Sequence, residues 1–292
     1  MAISFWFAGN LWVGLFFFFS GYGLGINSKN YGYFNCFMRK KIIRIYLPFV
    51  LAETLFVCIS SLINSSTYSL ACFIQMCLGL KLQNSVLWYV LELLVLYSLF
   101  YIFEKKISSK LIRDIAWIVS YITFLCLAVL FDLGTWWFIS TSCFFIGLWF
   151  DYFEKYITCI KKHRLFFIGI CVVFAGLYSI NKYVNITGFE LLIPNTYLIT
   201  LLDMVLAPVF VILCIVLSAW IDKKVTILIR LGDISYEYYL YHMCVLLILR
   251  SCFSDELVIF FAMILFTIVI SIPMNFVNKR ICTITNLSDT LK

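Results

Sequence analysis

The sequence predicts an all-α fold, a polytopic transmembrane helix bundle with about nine spans, forming a single integral membrane domain over residues 1–292. Composition is the first reason. Hydrophobic residues make up 64% of the chain and charged residues 13%, against roughly a quarter charged in an ordinary globular domain. So few charges cannot tile a water-facing surface, so lipid must solvate most of the exterior. The second reason is length: the apolar runs approach the ~20 residues that cross a hydrocarbon core. The third is the placement of charge in short clusters between those runs.

In order, the runs lie near 5–25, 42–63, 86–103, 114–131, 135–152, 165–180, 196–220, 235–252 and 257–277. The first ends in Ser20-Gly-Tyr-Gly-Leu-Gly, read either as a helix break that helps bind a ligand or as a plain helix terminus. The second follows the basic cluster Arg39, Lys40, Lys41 and Arg44. The segment 64–85 that follows holds the apolar stretch Leu70–Leu80, read either as lying on the membrane surface or as a packed loop, with the loop expected. Strands of a membrane barrel alternate polar and apolar residues; Leu15–Phe19 and Phe260–Ile270 do not alternate. Nineteen of the 22 basic residues fall in one set of alternate segments, and the other set holds Lys81, Lys182 and Arg250. By the positive-inside rule this puts the C-terminus in the cytoplasm. An odd number of spans then puts the N-terminus outside, as if a helix were missing before Met1.

Several function classes drop out. The net charge of +7 does not gather on one polar basic face, which argues against nucleic acid. No P-loop, Gly-x-Ser-x-Gly or His-Glu-x-x-His motif occurs. The 12 cysteines include no Cys-x-x-Cys pair, and no metal site is expected. Cys126, Cys143, Cys171, Cys214 and Cys244 lie in apolar runs and read as small hydrophobes. Cys72 and Cys77 share one segment and are within reach of pairing, with packing the expected role. The first basic residue, Lys29, follows the first apolar run, so the start does not read as a secretory signal.

Ionisable residues within spans are costly and mark candidate sites: Arg44, Glu53, Glu92, Asp203 and His242. Arg44 and its basic neighbours read either as a docking site for a phosphorylated ligand or as a topology anchor on anionic lipid. Ser235, Tyr238, Tyr239 and His242 recur at i, i+3, i+4 and i+7 and share one helix face. That face reads as a hydrogen-bonding wall for a substrate, as a proton-handling group, or as glue between helices. Glu53 is expected near the midplane, with Glu92 and Asp203 in the outer half. Together they read as a polar path or as separate hydrogen-bonded pairs. His163, within Lys161-Lys-His-Arg, reads as solvated.

Four segments, in this order, resemble the membrane acyltransferase 3 family. Phe16-Phe-Phe-Phe-Ser-Gly-Tyr-Gly-Leu is similar to its FF-x-SG signature, and Arg39-Lys-Lys-Ile-Ile-Arg-Ile-Tyr-Leu-Pro to its basic run ending in Arg-Ile-x-x-Pro. Leu87-Trp-Tyr-Val-Leu-Glu-Leu-Leu-Val-Leu-Tyr resembles its Leu-Trp-Phe/Tyr segment, and Leu231-Gly-Asp-Ile-Ser-Tyr-Glu-Tyr-Tyr-Leu-Tyr-His its closing Gly-x-x-Ser-Tyr-x-x-Tyr-Leu-x-His. The match is closest to bacterial members tied to cell-surface glycans. The resemblance implies about ten helices in a cell-membrane protein that transfers an acyl group, commonly acetyl from acetyl-CoA, to a hydroxyl of a sugar or lipid-linked precursor. Acetyl-CoA would be a substrate, with no bound cofactor. The resemblance makes Arg44, assisted by Arg39, the donor-binding residues. Ser20, Gly21, Trp88, Ser235, Tyr238 and His242 become pocket residues. The family's general-base histidine lies on a helix before the FF-x-SG segment. No histidine precedes His163 here, so the catalytic base is expected to precede Met1 and His242 is not promoted to it. The competing expectations are an inactive truncated relative and a membrane transporter of glycan or lipid.

Overall fold

The computed structural model describes residues 2–65, 67–187, 195–220 and 226–285, and among them it contains helices and turns but no strand. In chain order the helices are α1 (Ala2–Asn27), α2 (Phe37–Lys41), α3 (Leu47–Asn64), α4 (Leu70–Cys77), α5 (Trp88–Lys106), α6 (Lys110–Leu130), α7 (Ser142–Leu148), α8 (Phe150–Lys162), α9 (Arg164–Thr187), α10 (Asn195–Trp220), α11 (Thr226–Asp233), α12 (Ser235–Cys252) and α13 (Glu256–Ile284). A π-helical turn, Ile42–Tyr46, joins α2 to α3.

Seven of these helical stretches are long and apolar enough to cross a membrane: Gly9–Asn27, Phe37–Asn64, Ser85–Lys106, Lys110–Leu130, Arg164–Val184, Ile199–Trp220 and Glu256–Ile284. They correspond to seven of the nine expected runs. The run 235–252 is also one continuous helix, α12, about 27 Å long, but its serine, tyrosines, glutamate and histidine make it more polar. The run 135–152 differs from expectation. It forms a short 3₁₀ turn (Thr135–Trp137), then α7, and it breaks at Trp149 before α8. The reason is tertiary: the Ser140 hydroxyl donates to the carbonyl of Asn10 at 2.6 Å, and the Trp149 indole donates to Asp114 at 3.0 Å. These bonds hold the ends of α7 to other elements.

The chain forms two compact units. The first comprises Met1–Phe34 and Ser109–Lys223; the second comprises Asn35–Ser108 and Lys224–Lys292. In the first unit α1 lies directly against α7. A Cβ on Gly21 would run into the carbonyl oxygen of Phe144, and one on Gly147 into that of Phe18. Gly21 and Gly25, four residues apart on α1, therefore form a small-residue seam that lets two backbones touch. The Ser20–Gly25 segment is not a helix break, because α1 runs unbroken to Asn27. Its glycines serve close packing. Ile157, Phe167, Leu213 and Val216 form a buried cluster where α8 meets α9 and α10. Deeper along the same helix pair, Asn181 donates to Asp203 at 2.6 Å.

In the second unit α12 packs against α3 and α13. The stretch 70–80, expected as a loop, is helical over Leu70–Cys77. Ser69 caps its N-terminus by accepting from the Cys72 amide. Gly79 ends it at φ +75°, where the Leu80 amide returns to the carbonyl of Gln75 at 2.9 Å. Met76 is fully buried, and the Tyr46 hydroxyl donates to the Cys77 carbonyl at 2.9 Å. Cys72 and Cys77 remain free thiols.

Candidate functional site

The residues singled out by sequence divide between the units. Ser20 and Gly21 lie on α1 of the first. Arg39, Arg44, Trp88, Ser235, Tyr238 and His242 all lie in the second, and there the geometry converges.

The cationic segment is built by a local irregularity. Pro48 has no amide hydrogen, and its ring crowds the carbonyl four residues earlier, which is that of Arg44. The chain widens into the π-helical turn Ile42–Tyr46 before α3 resumes. Such a turn loosens the carbonyl ladder, and another element meets it: the Tyr236 hydroxyl on α12 donates to the carbonyl of Ile45 at 2.8 Å. Tyr236 thus ties the first turn of α12 to the residue that follows Arg44.

Beside this turn, α2 is anchored on α5. Phe37 is buried and stacks on Tyr101 at 5.7 Å between ring centroids. The Lys41 ammonium sits 3.9 Å from the Tyr97 ring centroid and 5.3 Å from that of Phe37, a cation–π arrangement. Lys41 is therefore held against the helix wall, whereas Arg39 and Arg44 are exposed. Among the described residues neither arginine has a carboxylate within ion-pair distance. Two exposed guanidinium groups flanking an anchored lysine can accept an anion of several oxygens through paired hydrogen bonds.

Further along α12 runs an aromatic row. The Trp88 and Tyr89 rings lie 6.4 Å apart, Tyr89 meets Tyr239 edge-on at 5.3 Å, and Tyr239 is 5.8 Å from His242. His242 and Tyr238 lie parallel, with 3° between their planes and 6.4 Å between centroids. The Tyr239 hydroxyl donates to the carbonyl of Val86, closing the row onto the turn before α5. His242 Nδ1 lies 2.7 Å from the Tyr239 carbonyl oxygen. A carbonyl only accepts, so Nδ1 carries the proton. The neutral imidazole then presents Nε2 as an acceptor. His242 lies two turns beyond Tyr236, about 9 Å along α12. Ser235 turns instead to its own helix start, donating to the Gly232 carbonyl at 2.8 Å.

The remaining ionisable groups have local partners. Glu53 is fully buried and accepts from the backbone amides of Gln83 at 2.6 Å and Asn84 at 3.3 Å. Glu237 is 4% exposed and accepts from Asn275 at 3.0 Å and Asn278 at 2.9 Å, both on α13. With the Asn181–Asp203 pair, these contacts match the reading of separate hydrogen-bonded pairs. Glu92 is buried on α5, one turn after Tyr89. Sequence reasoning missed Tyr236, and it read Lys41 as one more cation of the docking cluster rather than as a residue held on an aromatic wall. The proline four residues after Arg44 was the one local signal of a disturbed backbone there. Nothing in the sequence names Tyr236 as its partner.

No curated protein and no solved structure matches the chain. A family model described as an acyltransferase domain matches residues 1–276. That match spans most of the 292 residues and all four motif segments, and on it the chain belongs to the acyltransferase 3 family of membrane acyltransferases.

Proposed function

We propose that the protein is a plasma-membrane O-acyltransferase that moves an acetyl group from acetyl-CoA to a hydroxyl of a cell-surface glycan or its lipid-linked precursor. The observation that carries this reading is the exposed Arg44 beside the Tyr236–Ile45 bond, in a chain whose family is an acyltransferase family. Acetyl-CoA presents phosphate groups at one end and a thioester at the other. Arg44 and Arg39 bind the phosphates, which guanidinium groups suit better than ammonium groups. The positive-inside bias supports a cytoplasmic C-terminus and places this cationic end on the cytoplasmic side, where acetyl-CoA is found. Within the second unit, Trp88, Tyr238 and His242 line the path of the acyl group or the acceptor. His242, with its proton held on Nδ1, offers Nε2 to an acceptor hydroxyl as a hydrogen-bond partner that orients it.

The test is transfer of labelled acetyl from acetyl-CoA to isolated surface glycan by the purified protein in liposomes. Labelled glycan that appears only when acetyl-CoA is supplied supports the reading. Glycan or lipid movement independent of acetyl-CoA would identify a transporter instead. Folded protein that binds partners yet transfers nothing would identify an inactive relative.

A further inference from the structure

The first unit carries a feature that lies apart from the residues named above for acyl transfer. Along α9 and α10 runs an apolar groove of about 480 Å³. Its walls come from Leu165, Phe166, Gly169, Val173 and Leu177 on α9 and Val205 on α10. At the α8–α9 turn lies a second, shallow depression of about 720 Å³, lined by Lys162, His163, Arg164, Leu165 and Phe166. Leu165 and Phe166 line both, so a basic mouth adjoins the apolar trough. Among the described residues no acidic side chain lines either part.

Three features argue that the trough is shaped for a chain-like occupant. Leu165 to Leu177 spans about 18 Å of helix, more than half of the ~30 Å hydrocarbon core. Gly169 sits in the wall, and a Cβ there would meet nothing within 4 Å, so the depression is open at that point. At the mouth, the Arg164 guanidinium lies over the Trp220 indole at 5.9 Å, and Trp220 packs edge-on against Phe167 at 4.6 Å. A tryptophan bearing a cation at a helix end is the arrangement found at the headgroup level of a bilayer.

We infer that this depression is a binding site for an anionic phospholipid of the surrounding bilayer, with one acyl chain in the α9–α10 groove and the phosphate against Lys162, His163 and Arg164. Charge complementarity selects the occupant. The mouth offers two fixed cations and a histidine to a headgroup, and a zwitterionic lipid cancels most of that attraction with its own ammonium. Two basic residues at such a surface give a preference of at least about tenfold for an anionic headgroup.

The experiment uses the full chain in detergent micelles and compares retention of phosphatidylglycerol, phosphatidylcholine and a polyprenyl phosphate by native mass spectrometry, with thermal unfolding as a second readout. The wild type should retain phosphatidylglycerol about tenfold better than phosphatidylcholine and at least as well as the polyprenyl phosphate. The double variant Lys162→Gln/Arg164→Gln should lose that preference. Gly169→Leu, which fills the trough without touching a charge, should weaken retention of phosphatidylglycerol. Equal retention of the two phospholipids by the wild type would overturn the proposal, as would a preference that survives the double variant. Stronger retention of the polyprenyl phosphate would also overturn it and assign the groove to a lipid-linked acceptor. Should the double variant fail to fold, Lys162→Gln alone and the wild-type competition decide by the same comparisons.

Discussion

The Tyr236 hydroxyl donates to the carbonyl of Ile45 across 191 residues of sequence. The bond joins the last motif segment of the resemblance to the cationic turn. Tyr236→Phe removes the donor and leaves the ring. It should cost about 1 kcal/mol of stability and free the π-helical turn to relax. The expected signature is a raised KM for acetyl-CoA, with a smaller change in kcat, in acetyl-transfer kinetics. An unchanged KM would separate Arg44 from its bracing.

Glu237 holds α12 to α13 through two side-chain amides. Glu237→Ala leaves the buried Asn278 amide without its acceptor, a loss of about 1–3 kcal/mol, while the half-buried Asn275 keeps its bond to the Asp233 carbonyl. Thermal unfolding in detergent should fall by several degrees. Glu237→Gln keeps one carbonyl acceptor and should fall less.

The α1–α7 seam should be sterically unforgiving. Gly147→Ala places a methyl against the Phe18 carbonyl and the Tyr22 amide, both of them backbone, so the helices must separate. Overpacking of this kind costs about 1–3 kcal/mol. A control at Gly169, where the added Cβ meets open space, should leave the unfolding temperature nearly unchanged.

These contacts also show where sequence reading reaches its limit. The helical membrane bundle was legible because hydrophobic length and charge placement are summed over many residues. The shared face of Tyr238, Tyr239 and His242 was legible because it needs only helical periodicity, and the parallel Tyr238 and His242 rings follow from it. Ser235 left that set because its hydroxyl found the nearer Gly232 carbonyl. The break at Trp149 was hidden because the bonds of Ser140 to Asn10 and of Trp149 to Asp114 are non-local, while the run itself is apolar. The glycines of α1 read as a helix break or a plain terminus because a missing Cβ looks the same in sequence whether it serves a bend, an end or a close approach. Glu53 was recognisable as a costly buried charge, but its partners are backbone amides, which carry no sequence identity.

Glu53 gives a further test. It accepts the Gln83 and Asn84 amides and so fixes the turn that leads into Trp88 and α5. Glu53→Ala should leave those buried donors unpaired, lowering stability by about 1–3 kcal/mol and speeding proteolysis between Gly79 and Val86. Glu53→Gln, which retains an acceptor oxygen, should be milder in both measurements.

The central claim is that Arg44 binds the acyl donor, and one measurement tests it most directly: acetyl transfer from labelled acetyl-CoA by Arg44→Ala and Arg44→Lys in liposomes, each matched to wild type for amount of folded protein. A point charge cannot replace a guanidinium fork on phosphate, so Arg44→Ala should lose nearly all transfer and Arg44→Lys should retain only a part of it, through a raised KM for acetyl-CoA. Full activity in Arg44→Ala, at wild-type KM, would contradict the account.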